Sequence, residues 1–205
     1  MGSKLALVRH GETDWNAEGR LQGRMDIALN EVGRGQARAA GRELLAAGGW
    51  DVLVSSPLAR AAETASLAGV VLGLEPTETL AGLAERDYGR CEGRVVAGLP
   101  RHDIDRLLES AEPEDEVADR GVRSLAGLVE RYPGRNVVAV AHGTLLRLTL
   151  TRILGADHPR FRNGQIVELD AKLFAGARRG APEGDPPDVV HLAPGAAGTA
   201  TPVGA

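Results

Sequence analysis

Two short apolar runs stand out in the pattern of hydrophobic and polar positions, because each ends abruptly in a histidine followed by glycine. The first run covers residues 5–8 and leads through Arg9 into His10, and the second covers residues 137–141 and leads into His142. Continuous apolar runs of this length are typical of strands buried on both faces, as in parallel sheets. We therefore predict two core strands that both lead into a histidine.

Helical and extended patterns alternate along the rest of the chain. Helices are predicted over residues 30–48, 57–73, 100–109, 119–132 and 144–154, and further strands over residues 52–54, 77–80 and 165–169. Strands that alternate with helices favour a sheet with helices packed on both faces. The predicted fold class is therefore α/β, a three-layer αβα sandwich whose central sheet is mostly parallel.

Capping signals and charge refine the ends of these elements. Asn30 is predicted to cap the first long helix, and Ser56 is predicted to cap the next one, with Pro57 in its first turn. The apolar face of the first of these helices is predicted to comprise Val32, Ala37, Ala40, Leu44 and Leu45. The acidic run over residues 112–119, which surrounds Pro113, is predicted to be a solvated loop.

The composition narrows the class of protein. A chain of 205 residues suits one sizeable domain, which we place at residues 1–175, and residues 176–205 form a low-complexity tail that we expect to be largely disordered. The formal net charge of −4 gives no support to a nucleic-acid partner. A single cysteine excludes an intramolecular disulfide, and no apolar run reaches the roughly 20 residues of a membrane span. We expect a cytoplasmic protein that binds neither nucleic acid nor membranes.

The two histidines belong to a predicted anion site. The carboxyl ends of parallel strands meet at one edge of a sheet, so His10 and His142 are expected to converge there. Arg60 lies in the first turn of the helix that follows a third strand, and it is expected at the same edge with Arg9. Arginine side chains and helix N-termini both bind anions, most plausibly a phosphoryl group here.

Four motifs around these positions occur in a defined order. They are Leu7-Val8-Arg9-His10-Gly11-Glu12-Thr13, Ser55-Ser56-Pro57-Leu58-Ala59-Arg60-Ala61, Leu83-Ala84-Glu85 with Tyr88-Gly89, and His142-Gly143. Through these motifs the chain resembles the histidine phosphatase superfamily, in its phosphoglycerate-mutase-like branch, over roughly residues 5–169. One such motif is weak evidence, whereas four in the family's order are strong evidence.

The resemblance implies a role for each catalytic candidate. His10 would be the nucleophile that forms a phosphohistidine, while Arg9, Arg60 and His142 would bind the phosphoryl oxygens. Neighbouring arginine charges disfavour the imidazolium form and keep the His10 imidazole available for attack. Glu85 would protonate the leaving alkoxide and then activate water. The carboxylates of its neighbours Asp87 and Glu92 are rivals for that role.

The resemblance also suggests how substrate is held. Asn16, Gly23, Tyr88 and Gly143 are the candidate substrate-binding residues. We expect no cofactor and no metal site, because arginines, histidines and backbone N–H groups supply the positive charge. The expected enzyme is a phosphoric monoester hydrolase of the histidine acid phosphatase type that acts on a small phosphorylated metabolite, with a homodimer as the candidate assembly.

Two other functions stay open at this stage. A phosphoglycerate mutase of this family would carry a lysine and an arginine pair for the substrate carboxylate. Here no lysine lies between Lys4 and Lys172, and residues 93–119 contain no adjacent arginines, although Arg94 offers a partial substitute. The second alternative is a non-catalytic phosphate-binding protein. The substrate itself is open among ribazole-type, sugar-phosphate and phosphoglycerate-derived esters.

Overall fold

A six-stranded sheet lies at the centre of the computed structural model, which describes residues 2–174 and 190–191. In chain order the elements are β1 (Lys4–Arg9), α1 (Asp14–Ala17), α2 (Glu31–Ala47), β2 (Val52–Ser55), α3 (Ala59–Leu72), β3 (Glu78–Thr79), α4 (Arg101–Leu107), α5 (Glu114–Arg131), β4 (Val137–Ala141), α6 (Gly143–Leu154), β5 (Ile166–Asp170) and β6 (Val190–His191). Short 3-10 helices cover Ala81–Leu83, Gly89–Cys91, Leu108–Ser110 and Ala171–Leu173.

The sheet has the strand order β3-β2-β4-β1-β5-β6. Strand β1 pairs in parallel with β4, β4 with β2, and β2 with β3, whereas β5 runs antiparallel to β1 and β6 antiparallel to β5. Arg9 and Ala141 are register partners, so His10 and His142 follow paired positions on adjacent strands. This topology confirms the predicted α/β class and brings the two histidines to one edge of the sheet.

Helices cover both faces of the sheet because the core strands are apolar on both sides. Leu5 and Leu7 of β1 belong to the core shared with α5 and α6, while Ala6 and Val8 belong to the core shared with α2 and α3. All four side chains are fully buried. The three-layer arrangement therefore follows from strands that lack a polar face.

The buried face of α2 is narrower than its sequence predicted. Ala37, Ala40 and Leu44 are buried, but Val32 and Leu45 are exposed by 57% and 55%. The helix does begin after the predicted cap, since the Asn30 side chain accepts a hydrogen bond from the Gly33 amide. The small residues of the buried face let α2 pack closely against α3.

The cap of α3 was predicted wrongly. The helix begins at Ala59 rather than Pro57, and Ser56 forms no capping bond with it. Instead, the Ala59 amide donates a 2.7 Å hydrogen bond to the carboxylate of Asp26. A residue far away in the sequence therefore caps this helix, which local signals do not reveal.

The acidic run was also predicted wrongly, because α5 begins at Glu114 instead of residue 119. Acidic side chains suit the first turn of a helix, where the amide groups are unpaired. They also pair with arginines from other elements: Glu114 with Arg86 at 2.8 Å, and Asp115 with Arg152 at 2.6 Å. Tertiary ion pairs thus convert a predicted solvated loop into the beginning of a packed helix.

The predicted tail over residues 176–205 lies outside the described residues, apart from β6. Strand β6 (Val190–His191) lies within this tail. Within the described part of the chain, no helix is both long and apolar enough to cross a membrane.

Candidate active site

His10 directly follows β1, and its imidazole is held in one tautomer. Its Nδ1 lies 2.6 Å from the carbonyl oxygen of Gly11. A carbonyl oxygen only accepts hydrogen bonds, so Nδ1 carries the proton and donates it, and Nε2 keeps its lone pair. The backbone is held too, because the His10 amide donates to Ala141 at 3.0 Å and the Asn163 side chain donates to the His10 carbonyl at 3.1 Å.

The surroundings of His10 keep its imidazole neutral. The residue is 2% exposed, and burial lowers the pKa of His10 well below its usual range. The charges of Arg9 and Arg60 lower this pKa further. A neutral, buried imidazole with a free Nε2 is a nucleophile that needs no prior loss of a proton.

His142 faces His10 from the end of β4. The two ring centroids are 5.1 Å apart and the rings are tilted by 57°. The Nε2 of His142 lies 2.7 Å from the hydroxyl of Ser56, and its Nδ1 is buried without a hydrogen-bond partner among the described residues. Burial lowers the pKa of His142, and the charge of Arg60 adds to this effect.

Arg60 is completely buried in the first turn of α3. Its guanidinium donates to the carbonyl of Gly23 at 2.7 Å and to the carbonyl of Met25 at 2.8 Å. Burial lowers the pKa of Arg60, and the carboxylate of Glu85 opposes this effect. The predicted substrate-binding residue Gly23 is therefore placed to orient Arg60, and it does not line the cavity described below.

Arg9 is held by a single backbone contact at the end of β1. Its guanidinium donates to the carbonyl of Phe161 at 2.6 Å, while its Nε is buried without a partner among the described residues. A Cβ on Gly143 would approach that Nε to 3.2 Å, so the glycine leaves room for the arginine. Burial lowers the pKa of Arg9, and Glu85 again opposes the effect.

Glu85 receives the N-terminus of α6. Its carboxylate accepts hydrogen bonds from the amides of Thr144 at 3.2 Å and Leu145 at 3.0 Å, and from the amide of Arg86 at 2.9 Å. A helix N-terminus favours an anion through its unpaired amides and its dipole. Here the amides of α6 orient the carboxylate of Glu85, which is 8% exposed.

A cavity of about 870 Å³ opens beside these groups. Five of the predicted residues line it: Arg9, Asn16, Glu85, Tyr88 and Gly143. No group of three or more metal-ligating His, Cys, Asp or Glu side chains occurs within residues 2–174. The other predicted residues, which are His10, Arg60, His142 and Gly23, do not line the cavity. The cavity therefore lies next to Glu85 and Arg9, with the side chains of Asn16 and Tyr88 in its wall.

Asn16 and Tyr88 present defined polar groups to this cavity. The Asn16 side-chain oxygen accepts from the Thr13 amide and from Asn163, both at 3.2 Å, which leaves its NH₂ group as a donor for a ligand. The Tyr88 hydroxyl lies 2.8 Å from the hydroxyl of Thr144. Burial raises the pKa of Tyr88, and the charge of Glu85 raises it further, so the phenol stays neutral.

Comparison with known proteins agrees with this geometry. The family model of the histidine phosphatase superfamily, branch 1, matches residues 5–173. This chain belongs to the histidine phosphatase superfamily. The match covers strands β1 to β5 from residue 5 onward, both histidines and the residues that line the cavity, and it confirms the family that the four sequence motifs indicated.

Two curated relatives and one solved structure show the range of the family. The chain is 39% identical over 163 residues to the uncharacterized phosphatase PhoE of Bacillus subtilis, covering 80% of this chain and 83% of PhoE. It is 32% identical over 158 residues to the phosphoglycerate mutase-like protein 4 of Arabidopsis thaliana, covering 71% and 68%. A mycobacterial glucosyl-3-phosphoglycerate phosphatase in complex with VO3 superposes with a TM-score of 0.71 at 32% identity, covering 82% and 92%. These matches support a phosphatase of the superfamily.

The segment that carries Glu85 in this phosphatase is anchored by Arg120 of α5. The Arg120 guanidinium donates to the carbonyls of Ala84 at 2.6 Å, Glu85 at 3.0 Å and Gly82 at 3.1 Å. It also donates to both carboxylate oxygens of Glu112, at 2.7 and 3.0 Å. Sequence reasoning missed Arg120, because it lies far along the chain and belongs to no motif.

Glu112 completes this anchor. Its carboxylate accepts a 3.0 Å hydrogen bond from the amide of Asp87 in addition to the two bonds from Arg120. Partial burial acts to raise the pKa of Glu112, but the bonds from Arg120 and the Asp87 amide outweigh it and lower that pKa below its ordinary value. The partly buried ion pair therefore ties α5 to both sides of the turn at residue 86.

The two carboxylates that rival Glu85 for the acid role, Asp87 and Glu92, form their contacts outside the cavity. Asp87 accepts a 2.7 Å bond from the Gly89 amide and lies 3.7 Å from Arg24. Glu92 accepts from the amides of Arg24 at 2.8 Å and Tyr88 at 3.2 Å. Glu85 lines the cavity and these two residues do not.

Proposed function

We propose that this phosphatase hydrolyses a small phosphate monoester through a phosphohistidine on His10, without a metal ion. The observation that carries the proposal is the hydrogen bond from His10 Nδ1 to the Gly11 carbonyl. It aims a neutral Nε2 with a free lone pair away from the backbone, close to His142 and to the charges of Arg9 and Arg60.

In the first step, the lone pair of His10 Nε2 forms the N–P bond as the P–O bond to the leaving group breaks. Glu85, in its carboxylic acid form, donates its proton to the leaving oxygen and an alcohol departs. Arg9, Arg60 and His142 bind the phosphoryl oxygens, on which charge accumulates in the transition state. The positive charge supplied by the two arginines takes the place that a metal ion has in other phosphatases.

In the second step, water attacks the phosphohistidine and the N–P bond breaks. The Glu85 carboxylate takes the proton from water, inorganic phosphate forms, and His10 recovers its lone pair. One carboxyl group thus acts as acid and then as base. Its three backbone amide donors hold it in place through both steps.

Rapid quenching with ³²P-labelled substrate tests this mechanism. Wild-type protein should yield protein-bound phosphate that is labile in acid and stable in base, as expected for a phosphoramidate. His10→Ala should yield none, while His102→Ala, which changes an exposed histidine, should label like wild type. Label on a serine or on Cys91 would contradict the assignment, and activity lost to a chelator and restored by a divalent ion would contradict metal independence.

A mutase is the weaker candidate, because the residues that line the cavity include neither a lysine nor an adjacent arginine pair. Arg94, the one arginine that offered a partial substitute for that clamp, does not line the cavity. No adjacent arginine pair occurs in the cavity wall formed by residues 96–108. We therefore favour hydrolysis over phosphoryl return to the substrate.

A further inference from the structure

The carbonyl group that holds the His10 tautomer belongs to a peptide unit that a side chain of α2 contacts from the other side. The carbonyl of Gly11 and the amide of Glu12 are the two ends of one planar unit. The carbonyl oxygen lies 2.6 Å from Nδ1 of His10, and the amide donates a 2.8 Å hydrogen bond to Oε1 of Gln36. A continuous chain of hydrogen bonds therefore runs from the imidazole through the backbone to Gln36.

The main chain of α2 lies against the same peptide unit and leaves it no room to rotate. A Cβ on Gly11 would overlap with the carbonyl of Gly33, and a Cβ on Gly33 would overlap with the carbonyl of Glu12. The Glu12 carbonyl also accepts a 3.0 Å hydrogen bond from the amide of Asn30, the cap of α2. Gln36 lies three positions after Gly33 and so on the same side of the helix. Its side chain therefore meets the Glu12 amide at a fixed place.

The bond from the Glu12 amide to Gln36 changes the acceptor at the other end of the unit. A hydrogen bond at the amide end polarises the peptide unit and makes its carbonyl oxygen a stronger acceptor. During phosphoryl transfer, Nε2 of His10 forms the N–P bond, and the electron pair of the breaking P–O bond passes to the leaving oxygen. The imidazole then gains positive charge, which its Nδ1–H group shares. A stronger acceptor at that proton stabilises the transition state more than the resting enzyme.

The preceding peptide unit offers a comparison, because its side-chain contact does not act on the imidazole. The amide of this unit, that of Gly11, donates a 3.0 Å hydrogen bond to the hydroxyl of Thr64, which donates to the carbonyl of Arg60 at 2.7 Å. The carbonyl of this unit is that of His10, and it accepts from the side chain of Asn163. Thr64 thus anchors the backbone without contacting the unit that accepts the Nδ1 proton.

We propose that Gln36 is a positioning residue for the nucleophile His10, on which it acts through the intervening peptide unit. The proposal rests on the proposed function, because it concerns the formation of phosphohistidine. Gln36 has two effects: it keeps the proton on Nδ1, and it stabilises the charge that the ring gains during phosphoryl transfer. In serine proteases a carboxylate at Nδ1 has both effects on the catalytic histidine. Here a neutral chain of a peptide unit and a carboxamide takes that place.

Two substitutions of Gln36 test the proposal kinetically. Gln36→Met keeps the length of the side chain but removes the acceptor oxygen. The maximal single-turnover rate of phosphohistidine formation should therefore fall by about 3- to 10-fold, the value of one hydrogen bond, while the half-saturating substrate concentration stays the same. Gln36→Glu keeps an acceptor oxygen at the same reach and should retain the wild-type rate. Alkyl and aryl phosphates should lose the same factor in Gln36→Met, because the change affects the nucleophile and not the leaving group.

NMR spectra of ¹⁵N-histidine-labelled protein give a readout that a merely structural role would not change. The signals of His10, identified by their loss in His10→Gln, should show a protonated Nδ1 and an unprotonated Nε2. The Nδ1 proton should resonate far downfield and should move upfield in Gln36→Met, because its acceptor weakens. Thr64→Val, the matched control, removes the partner of the neighbouring amide and should leave this proton signal in place. Melting temperatures establish that each variant is folded.

An Nδ1 proton signal that stays in place in Gln36→Met would overturn the proposal, and so would an unchanged rate of phosphohistidine formation. A Gln36→Glu variant as slow as Gln36→Met would also overturn it, because the acceptor oxygen would then have no influence. Failure of the proposed function looks different, since the wild-type protein would then form no phosphohistidine on His10.

Discussion

The guanidinium of Arg120 lies 3.0 Å from the carbonyl oxygen of Glu85 and holds the backbone of that residue from a helix outside the cavity. The amides of α6 hold the Glu85 carboxylate from the other side. Main chain and side chain of this residue are thus positioned by two different helices, as expected for a group that must reach a leaving oxygen within hydrogen-bond distance.

Replacement of Glu85 should reveal its role through the leaving group. We expect Glu85→Gln to reduce kcat/KM for alkyl phosphates by about 10²–10⁴-fold, because an alkoxide leaves poorly without a proton. A nitrophenyl phosphate should lose much less, since its phenolate leaves without help. The measurement is kcat/KM for both substrates. Labelled phosphohistidine should accumulate on the protein during turnover of the aryl phosphate, because water attack then lacks its base.

Asp87→Asn and Glu92→Gln are the matched controls for this experiment. Neither should show dependence on the leaving group or accumulate the intermediate, because neither carboxylate lines the cavity. Equal slowing of both substrates in Glu85→Gln, without trapped phosphohistidine, would place the acid elsewhere.

Arg120→Met should show the same dependence on the leaving group as Glu85→Gln, but to a smaller extent. Without Arg120 the Glu85 backbone loses its anchor, so we expect turnover of alkyl phosphates to fall by about 10-fold or more while aryl phosphates lose little. Stability should also drop by about 1–3 kcal/mol, because Glu112 and three backbone carbonyls lose their partner in a partly buried ion pair.

A double variant and a control separate these two effects. Arg120→Met combined with Glu112→Gln should recover part of the lost stability but not alkyl phosphate turnover. Arg131→Met removes an exposed ion pair with Glu78 from the same helix and should change neither. A loss of turnover that tracks the melting temperature across all three proteins would mean that Arg120 is only structural.

The buried histidines should make the fold sensitive to mild acid. Because burial lowers the pKa of both His10 and His142, only the unfolded chain takes up protons as the pH falls below its ordinary histidine pKa of about 6.5. The free energy of unfolding should therefore keep its highest value above that pH. Below it, the free energy should decrease by up to about 1.4 kcal/mol per pH unit for each histidine. Urea titrations at several pH values measure this slope.

The double variant His10→Gln and His142→Asn identifies the source of that slope. It should flatten the pH dependence between about pH 6.5 and 5, where neither residue can then titrate. The lowered pKa of Glu112 acts at more acidic pH and stays as an internal reference. An unchanged slope in the variant would assign the acid sensitivity to other groups.

Glycine to alanine changes at two positions should have opposite effects. Gly23 has a φ of +54°, and a Cβ there would lie 1.9 Å from the Glu92 carboxylate, so Gly23→Ala should destabilise the fold by about 1–3 kcal/mol or more and displace Arg60. Gly35 lies exposed within α2 with nothing near its Cβ position, so Gly35→Ala should stabilise by about 0.5–1 kcal/mol. Thermal melts and phosphatase assays on both variants check the contrast.

The sheet and the two histidines were predictable because their signal is local. Each apolar run buries a whole strand, and the parallel pairing of β1 with β4 then places His10 beside His142. Arg9 and Arg60 were predicted at the same edge from their places after a strand and in a first helical turn, and the resemblance added their expected role. These parts depend on residues that lie next to each other in sequence.

The missed parts of the site depend on contacts between distant residues. Asp26 caps α3 across 33 positions, and Ser56, the predicted cap, lies 2.7 Å from His142 instead. Arg120 reaches the carbonyl of Glu85 across 35 positions. Neither Asp26 nor Arg120 belongs to a local sequence pattern, so these contacts cannot be predicted from short segments of the sequence.

The cap on α3 also links movement of the loop over residues 23–26 to hydrogen exchange at one backbone amide. First-turn amides of a helix normally exchange their hydrogens with solvent readily, but the Ala59 amide is bonded to Asp26. Asp26 follows the two carbonyls, Gly23 and Met25, that hold the Arg60 guanidinium. Deuterium uptake at the Ala59 amide would therefore report how often the loop over residues 23–26 moves away and breaks its hydrogen bonds to Arg60.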